Sequence, residues 1–148
     1  ADICIIPTAS QLEDTGERYQ KLFEELGAGN THWLPISDRN DAKKEEYVTQ
    51  LESCTGIFIT GGNQLRLSTI LGGTPIAKAI RKLNAQGVHV AGTSAAAAIV
   101  SQHMIPGGNT GILPTDAGVT FAPGMRLIST IVVSHELNER SPVLPLIR

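Results

Sequence analysis

Hydrophobic and polar positions follow two alternating patterns along the chain. Short apolar runs at residues 3–6, 57–59 and 88–91 have the length and the Ile/Val content of buried strands. Longer segments between them place apolar residues at helical spacing. This alternation predicts an α/β fold in which helices cover both faces of a mostly parallel sheet.

Glycine, proline and capping residues set the bounds of the predicted elements. Strands are predicted at residues 3–6, 33–36, 57–59, 88–91 and 131–133, with 143–147 as a candidate sixth. Helices are predicted to begin near Asp14, Asp41, Asn63 and Pro75, and a short Ala-rich helix is predicted at residues 95–100. Pro35 favours an edge position for its strand. Prolines and glycines beyond Met104 predict a long loop.

Two of the predicted helices have a clear apolar face. The first has Tyr19, Leu22, Phe23 and Leu26 at helical spacing, and Gly27 is placed to end it. The second has Tyr47, Val48, Leu51 and Cys54 on one side. We expect both faces to pack against the sheet.

Composition and charge narrow the possible partners. The 148 residues make up about one domain, and 41% of them are hydrophobic. The net charge is −2 and the 12 basic residues are scattered, which argues against a nucleic-acid or anionic-membrane partner. No apolar run approaches the roughly 18 residues of a membrane span. We therefore expect a cytoplasmic protein in which Cys4 and Cys54 are reduced core thiols.

The segment around Ser94 is the strongest candidate for catalytic chemistry. Ser94 follows a predicted strand and precedes the Ala-rich helix, as a nucleophile elbow requires. Gly92 removes side-chain crowding, and the N–H of Ala95 is available to stabilise an oxyanion. Ala96 stands where the usual pattern has a second glycine. The alternative is that Ser94 only caps the helix.

A second turn, Gly61-Gly62, follows another predicted strand. Its backbone N–H groups are candidates for an oxyanion or carboxylate cradle at the carboxyl edge of the sheet. The histidines show no metal-ligand spacing along the chain, so no metal site is expected. His89, inside an apolar strand, is expected in the core or facing a layer of helices.

Four segments in the same order, residues 6–10, 16–19, 55–67 and 91–95, closely resemble the cyanophycinases. These are serine peptidases related to the aspartyl dipeptidases called peptidase E, and the resemblance runs from residue 1 to about 111. It implies a three-layer flavodoxin-like fold shared with class I glutamine amidotransferases, and a homodimer. It also implies exo-hydrolysis of cyanophycin, a β-aspartyl-arginine polymer, to β-Asp-Arg dipeptides.

The resemblance also implies roles for individual residues. Ser94 matches the nucleophile that forms the acyl-enzyme, without metal or organic cofactor. Gly62 and Ala95 match the oxyanion hole, Gln64 matches a substrate-holding glutamine, and Asn63 stands where the family often has Asp. Two other functions remain open: a catalytically inactive relative that binds peptides, and a peptidase for α-linked aspartyl dipeptides.

The general base is the least settled part of the resemblance. After residues 131–133 the family continues Asp-Gln-His-Phe, whereas this chain reads Ser134-His135-Glu136-Leu137. An ungapped match places Glu136 on the catalytic histidine and Arg140 on a substrate-binding arginine. A one-residue slip places His135 on that histidine instead. A third alternative is that residues 134–148 match the last strand of the family and the base is absent.

The family also has a strand and a Gly-Gly-Glu-Asp turn before the point that matches Ala1. We therefore expect residues 1–148 to form a single α/β peptidase domain that is incomplete. Its first strand and the segment with the catalytic histidine would be the missing parts.

Overall fold

The computed structural model describes residues 1–104 and 122–133, which form strands and helices in alternation. The elements are β1 (Asp2–Ile6), α1 (Thr15–Glu25), β2 (Asn30–Trp33), a 3₁₀ turn (Asp41–Lys43), α2 (Glu45–Glu52), β3 (Gly56–Ile59), α3 (Gln64–Leu71), α4 (Pro75–Ala85), β4 (His89–Gly92), α5 (Ala95–Ile99), β5 (Ser101–Met104), β6 (Ala122–Pro123) and β7 (Ile128–Val133). None of the helices in these ranges combines the length and the apolar character of a membrane span.

The main sheet has four parallel strands in the order β2-β1-β3-β4. This order is that of flavodoxin-like folds, in which ligands bind outside the carboxyl ends of the strands. A second sheet has the order β6-β5-β7, where β5 pairs in parallel with β7 and antiparallel with β6. The predicted fold class and the edge position of β2 are confirmed.

One face of the main sheet is covered by α1. Ile5, Trp33 and Phe58 are register partners on β1, β2 and β3, so their side chains leave the sheet on the same side. The rings of Tyr19 and Phe23 on α1 lie 5.2 and 5.0 Å from the ring of Phe58, measured between centroids. These aromatic contacts hold α1 on the sheet.

The opposite face is covered by α2 and α4. Its buried core joins residues of the strands to residues of both helices, among them Cys4, Ile6, Ile57, Ile59, Leu51, Ile76 and Ile80. Each fully buried Leu or Ile contributes roughly 1.5–3 kcal/mol of transfer free energy. The molecule therefore has the three layers that the alternating pattern predicts.

Three expectations about individual elements are corrected by the structure. The strand predicted at residues 33–36 lies earlier, because the parallel register pairs Asn30–Trp33 with β1 and Pro35 has no N–H to extend the ladder. The helix predicted from Asp41 is split, since Lys44 is extended (φ −64°, ψ 123°) between the 3₁₀ turn and α2. Leu22 and Leu26 are exposed, so only Tyr19 and Phe23 of that face meet the sheet.

The second sheet contains strands that the sequence pattern did not indicate. β5 follows α5 after a single residue, and the Ser101 hydroxyl donates to the carbonyl of Ala98 at this reversal (2.7 Å). β6 contains Pro123, which pairs at a strand edge. The strand predicted at 131–133 is part of the longer β7. The predicted strand at 143–147 and residues 105–121 of the predicted loop lie outside the described residues.

Candidate active site

Ser94 occupies a sharp turn between β4 and α5. Its backbone has φ 56° and ψ −115°, a conformation that side-chain-bearing residues rarely adopt and that costs about 1–3 kcal/mol. Although it stands at the position before the helix, its side chain makes no capping hydrogen bond. The alternative in which Ser94 only caps α5 is therefore contradicted. Ser94 is half-buried and has the strand–turn–helix setting of a nucleophile elbow.

Gly92 lets α5 fold back closely onto the sheet. A Cβ atom at this position would lie 2.5 Å from Cβ of Ala96 and 3.0 Å from the carbonyl oxygen of Ile59. The next residue, Thr93, donates its N–H to that same Ile59 carbonyl (3.3 Å). The small residues on both sides of Ser94 are thus required by the packing of the elbow.

The Gly61-Gly62 turn lies directly against the elbow. The N–H of Gly61 donates to the hydroxyl of Thr93 (3.0 Å), and a Cβ atom at Gly61 would lie 3.1 Å from Cβ of Ser94. Gly62 has φ +147°, and a side chain there would collide with the carbonyl of Ala9. The residues expected to form the oxyanion hole, Gly62 and Ala95, therefore belong to two turns in contact.

Ala95 is the first residue of α5, so its N–H has no acceptor within the helix. Its side chain is buried, which fixes the peptide that joins it to Ser94. This is the position from which a backbone donor stabilises the oxyanion of a reacting carbonyl.

Asn63 and Gln64 occupy different positions at the start of α3. Asn63 caps the helix, and its side-chain oxygen accepts the N–H of Arg66 (2.9 Å). An Asp at this position would make the same cap. Gln64 is the first residue of α3 and is half-buried. The side-chain oxygen of Asn63 is engaged in the fold, which favours an indirect role for this residue.

A cleft of about 420 Å³ lies between the carboxyl-end segments of β1 and β2, and neither Gly62 nor Ser94 lines it. It borders the loop on which Gly62 packs, since Asn63 donates its N–H to Ala9 (2.8 Å). Arg66 holds both walls, because its guanidinium donates to the carbonyls of Thr8 (2.9 Å) and Ser37 (3.3 Å). The lining residues are Pro7, Thr8, Ser10, Gln11, Leu12, Glu13, Trp33, Pro35, Ile36, Ser37 and Arg66.

The remaining candidate catalytic residues cannot be placed in this geometry. His135 and Arg140 lie outside the described residues, so their roles stay predictions. Among the histidines of the described ranges, His89 is exposed on β4. The expectation that it lies in the core is wrong, because β4 is the edge strand of the four-stranded sheet and this part of it is uncovered in the described structure.

A separate group consists of Cys4, His32 and Cys54, which sequence spacing did not bring together. Their ligand atoms lie within 4.8 Å of one another, and both cysteines are free and buried. The hydrogen bond from the Cys4 thiol to Cys54, with burial, raises the pKa of Cys4 far above its usual range. The same hydrogen bond lowers the pKa of Cys54. Such soft side chains can hold a metal.

The geometry first defines a class: α/β proteins with a strained serine elbow and an adjoining glycine turn at the carboxyl edge of a parallel sheet. A model of one family of that class, peptidase family S51, matches residues 1–142. The chain belongs to peptidase family S51.

The chain is also similar to individual relatives. It is 40% identical over 143 residues to the cyanophycinase of Nostoc sp. (strain PCC 7120), covering 95% of this chain and 48% of that protein. It is 41% identical over 144 residues to the cyanophycinase of Geminocystis herdmanii, covering 95% and 53%. The chain thus spans about half the length of the relatives it matches.

Two solved structures share the fold. A peptidase from an acI-B1 Actinobacterium matches with a TM-score of 0.63 and 30% identity, over 70% of this chain and 45% of that one. A putative peptidase E protein from Listeria monocytogenes EGD-e matches with a TM-score of 0.56 and 32% identity, over 69% and 50%. These matches agree with the three-layer architecture described above.

Proposed function

We propose that the chain belongs to a serine peptidase that cleaves cyanophycin-like β-aspartyl peptides, with Ser94 as the nucleophile. The observation that carries this proposal is the backbone of Ser94, which is held at positive φ with no capping bond, against the Gly61-Gly62 turn. A fold retains such strain mainly where it serves a function. Membership of peptidase family S51 supports the same reaction class.

In the proposed reaction the oxygen of Ser94 attacks the carbonyl carbon of the scissile peptide, and its proton passes to a general base. The negative charge on the carbonyl oxygen is stabilised by the backbone N–H groups of Gly62 and Ala95. The C–N bond then breaks, the leaving amine takes the proton, and water hydrolyses the acyl-enzyme. His135 is the candidate for the base.

The substrate proposal rests on the relatives. The two described above are named cyanophycinases, at 40% and 41% identity. The cleft that borders the loop under Gly62 supplies room for a peptide chain, since ligand sites commonly have volumes of about 300–1,000 Å³. Gln64 is proposed to hold the substrate beside Ser94, and Arg140 to contact it. The mechanism needs neither a metal nor an organic cofactor.

The test is release of dipeptides from insoluble cyanophycin by the gene-encoded protein. We expect β-Asp-Arg release by the wild type and none by Ser94→Ala. Ser53→Ala is the matched control, because Ser53 is exposed and its hydroxyl donates to the carbonyl of Gln50 in α2 (2.7 Å), away from the elbow. Binding of the polymer without dipeptide release would contradict the proposal and favour a peptide-binding relative.

Parallel assays with an α-linked Asp-Leu dipeptide separate the two peptidase activities. Preferred hydrolysis of the β-linked polymer supports the proposed substrate. Preferred hydrolysis of the α-linked dipeptide would replace it with an aspartyl dipeptidase, the alternative favoured by similarity to a putative peptidase E protein.

We further propose a cytoplasmic homodimer, on the strength of the family resemblance. The two free thiols fit a compartment that keeps cysteines reduced. Light scattering of the gene-encoded protein tests the assembly: twice the chain mass is expected, and the mass of one chain would overturn the dimer.

A further inference from the structure

Cys4, His32 and Cys54 meet on the face of the sheet that α2 and α4 cover. Cys4 and His32 are register partners on β1 and β2, so their side chains leave the sheet on the same side. Cys54 lies between α2 and β3, and its sulfur is 3.6 Å from Nε2 of His32. All three ligand atoms lie within 4.8 Å of one another.

We propose that these three side chains form a Zn²⁺ site. Zinc binds sulfur at about 2.3 Å and imidazole nitrogen at about 2.0–2.1 Å, so tetrahedral coordination separates S from N by about 3.6 Å and S from S by about 3.8 Å. The observed separation of 3.6 Å between Cys54 and His32 equals the first value. The remaining separations are at most 4.8 Å, so they need a change of no more than about 1.2 Å, which small side-chain rotations provide.

The ligand types favour zinc over the common hard cations. Two thiolates and an imidazole suit Zn²⁺, whereas Mg²⁺ and Ca²⁺ require oxygen ligands. The charges also balance, because two thiolates and one Zn²⁺ sum to zero. A neutral complex avoids the cost of burying net charge where Cys4 is 0% and Cys54 5% exposed. His32 is half-buried, so metal and a water ligand reach the site from its side.

The proposed zinc site is separate from the candidate active site. Cys4 is in the middle of β1 and Cys54 precedes β3, whereas Ser94 and Gly61 follow the carboxyl ends of their strands. Zinc would join three segments that are far apart in sequence, which is a structural role. The proposal therefore stands independently of the proposed peptidase activity.

The experiment titrates Co²⁺ and Zn²⁺ into the metal-stripped, gene-encoded protein under reducing conditions. Co²⁺ should give visible d–d bands and a near-ultraviolet thiolate-to-cobalt band, both removed by one equivalent of Zn²⁺. At a hundredfold excess of Zn²⁺ over Kd, Tm should rise by roughly 5–10 °C. His32→Gln and Cys54→Ser should each weaken binding by more than about 100-fold, since changes outside the ligand shell alone cost 10–100-fold.

His89→Gln is the matched control, because His89 is exposed on the same sheet and is not part of the group. It should bind Zn²⁺ as the wild type does. The proposal is overturned if cobalt gives no thiolate band, if Cys54→Ser binds cobalt as tightly as the wild type, or if His89→Gln weakens binding as much as His32→Gln. The cobalt spectrum of the wild type needs no variant, so it decides the question even if a cysteine variant fails to fold.

Discussion

Gly61 lies so close to Ser94 that a Cβ atom at position 61 would be 3.1 Å from the Cβ of the serine. The two turns are also joined by the hydrogen bond from the Gly61 N–H to the hydroxyl of Thr93 (3.0 Å). Two motifs 32 residues apart in sequence therefore form one structure at the sheet edge. This contact links the proposed nucleophile to one side of the proposed oxyanion hole.

Replacing Ser94 by glycine should raise stability while it abolishes peptide hydrolysis. Glycine adopts φ 56° without strain, so we expect the free energy of unfolding to increase by about 1 kcal/mol. Urea unfolding of Ser94→Gly, Ser94→Ala and the wild type measures this gain. A decrease of about 1 kcal/mol in Ser94→Gly would contradict the interpretation of this turn as strained.

Ser53→Gly is the control for the glycine substitution itself. Ser53 has an ordinary helical backbone with φ −83°, and it is the residue directly after α2. Glycine there gains no relief of strain and loses chain entropy on folding, so stability should fall by up to about 1 kcal/mol. If the free energy of unfolding rises in Ser94→Gly and falls in Ser53→Gly, the increase is due to the backbone conformation of Ser94.

Gly92→Ala should displace α5 and impair both stability and activity. The new methyl group would meet Ala96 at 2.5 Å, and overpacking of this kind costs roughly 1–3 kcal/mol. Ala96→Gly removes that contact, so the double variant should recover part of the loss despite the lower helix propensity of glycine. Urea unfolding of the four proteins gives the coupling energy between the two sites.

The control for this cycle is Gly56→Ala on β3. A Cβ atom there would be 3.9 Å from Ile3, an ordinary van der Waals distance. We expect Gly56→Ala to change the free energy of unfolding little, whether alone or combined with Ala96→Gly. Strictly additive effects of Gly92→Ala and Ala96→Gly would refute the proposed contact.

Asn63 should act mainly through the cap of α3. Asn63→Ala removes the acceptor for the Arg66 N–H and should cost about 1 kcal/mol, whereas Asn63→Asp should retain stability. Thr74→Ala, which removes the corresponding cap of α4, provides the comparison. Asn63→Asp with unchanged stability and a large rise in KM would instead indicate direct substrate contact.

Arg66 should affect substrate affinity more than turnover. Arg66→Ala removes the bonds to the carbonyls of Thr8 and Ser37 that hold the cleft walls together. We expect KM for the peptide to rise several-fold with a smaller change in kcat, as measured in steady-state hydrolysis.

Arg39→Ala is the matched control for Arg66, because the Arg39 guanidinium also donates to two carbonyls, those of Thr69 (2.6 Å) and Gly72 (2.9 Å), but does not line the cleft. Its KM should stay near that of the wild type. Equal effects of the two substitutions on KM would contradict a role for the cleft in substrate binding.

Much of the fold follows from local patterns. Thr74-Pro75 begins α4 as predicted, with the Thr74 hydroxyl accepting the N–H of Ala77 (3.4 Å), and Gly92 and Ser94 mark the elbow. These signals act within a few residues, so they can be recognised in the sequence. Leu22 and Leu26 have the right spacing for a buried face, but their burial depends on neighbours outside their own helix.

The grouping of Cys4, His32 and Cys54 shows the limit of such patterns. Cys4 and His32 become neighbours only through the parallel register of β1 and β2. Cys54 joins them because α2 ends beside the same face of the sheet. Spacing along the chain does not contain this register, because counting from the starts of the predicted strands, residues 3 and 33, pairs Cys4 with Leu34 and not with His32.

The most direct test of the central claim, that Ser94 is the nucleophile, is mass spectrometry of the gene-encoded protein quenched during turnover of a β-aspartyl peptide. The account predicts an acyl adduct on the peptide that contains Ser94, absent from Ser94→Ala and present in Ser53→Ala. An adduct on another residue, or dipeptide release by Ser94→Ala at the wild-type rate, would contradict it.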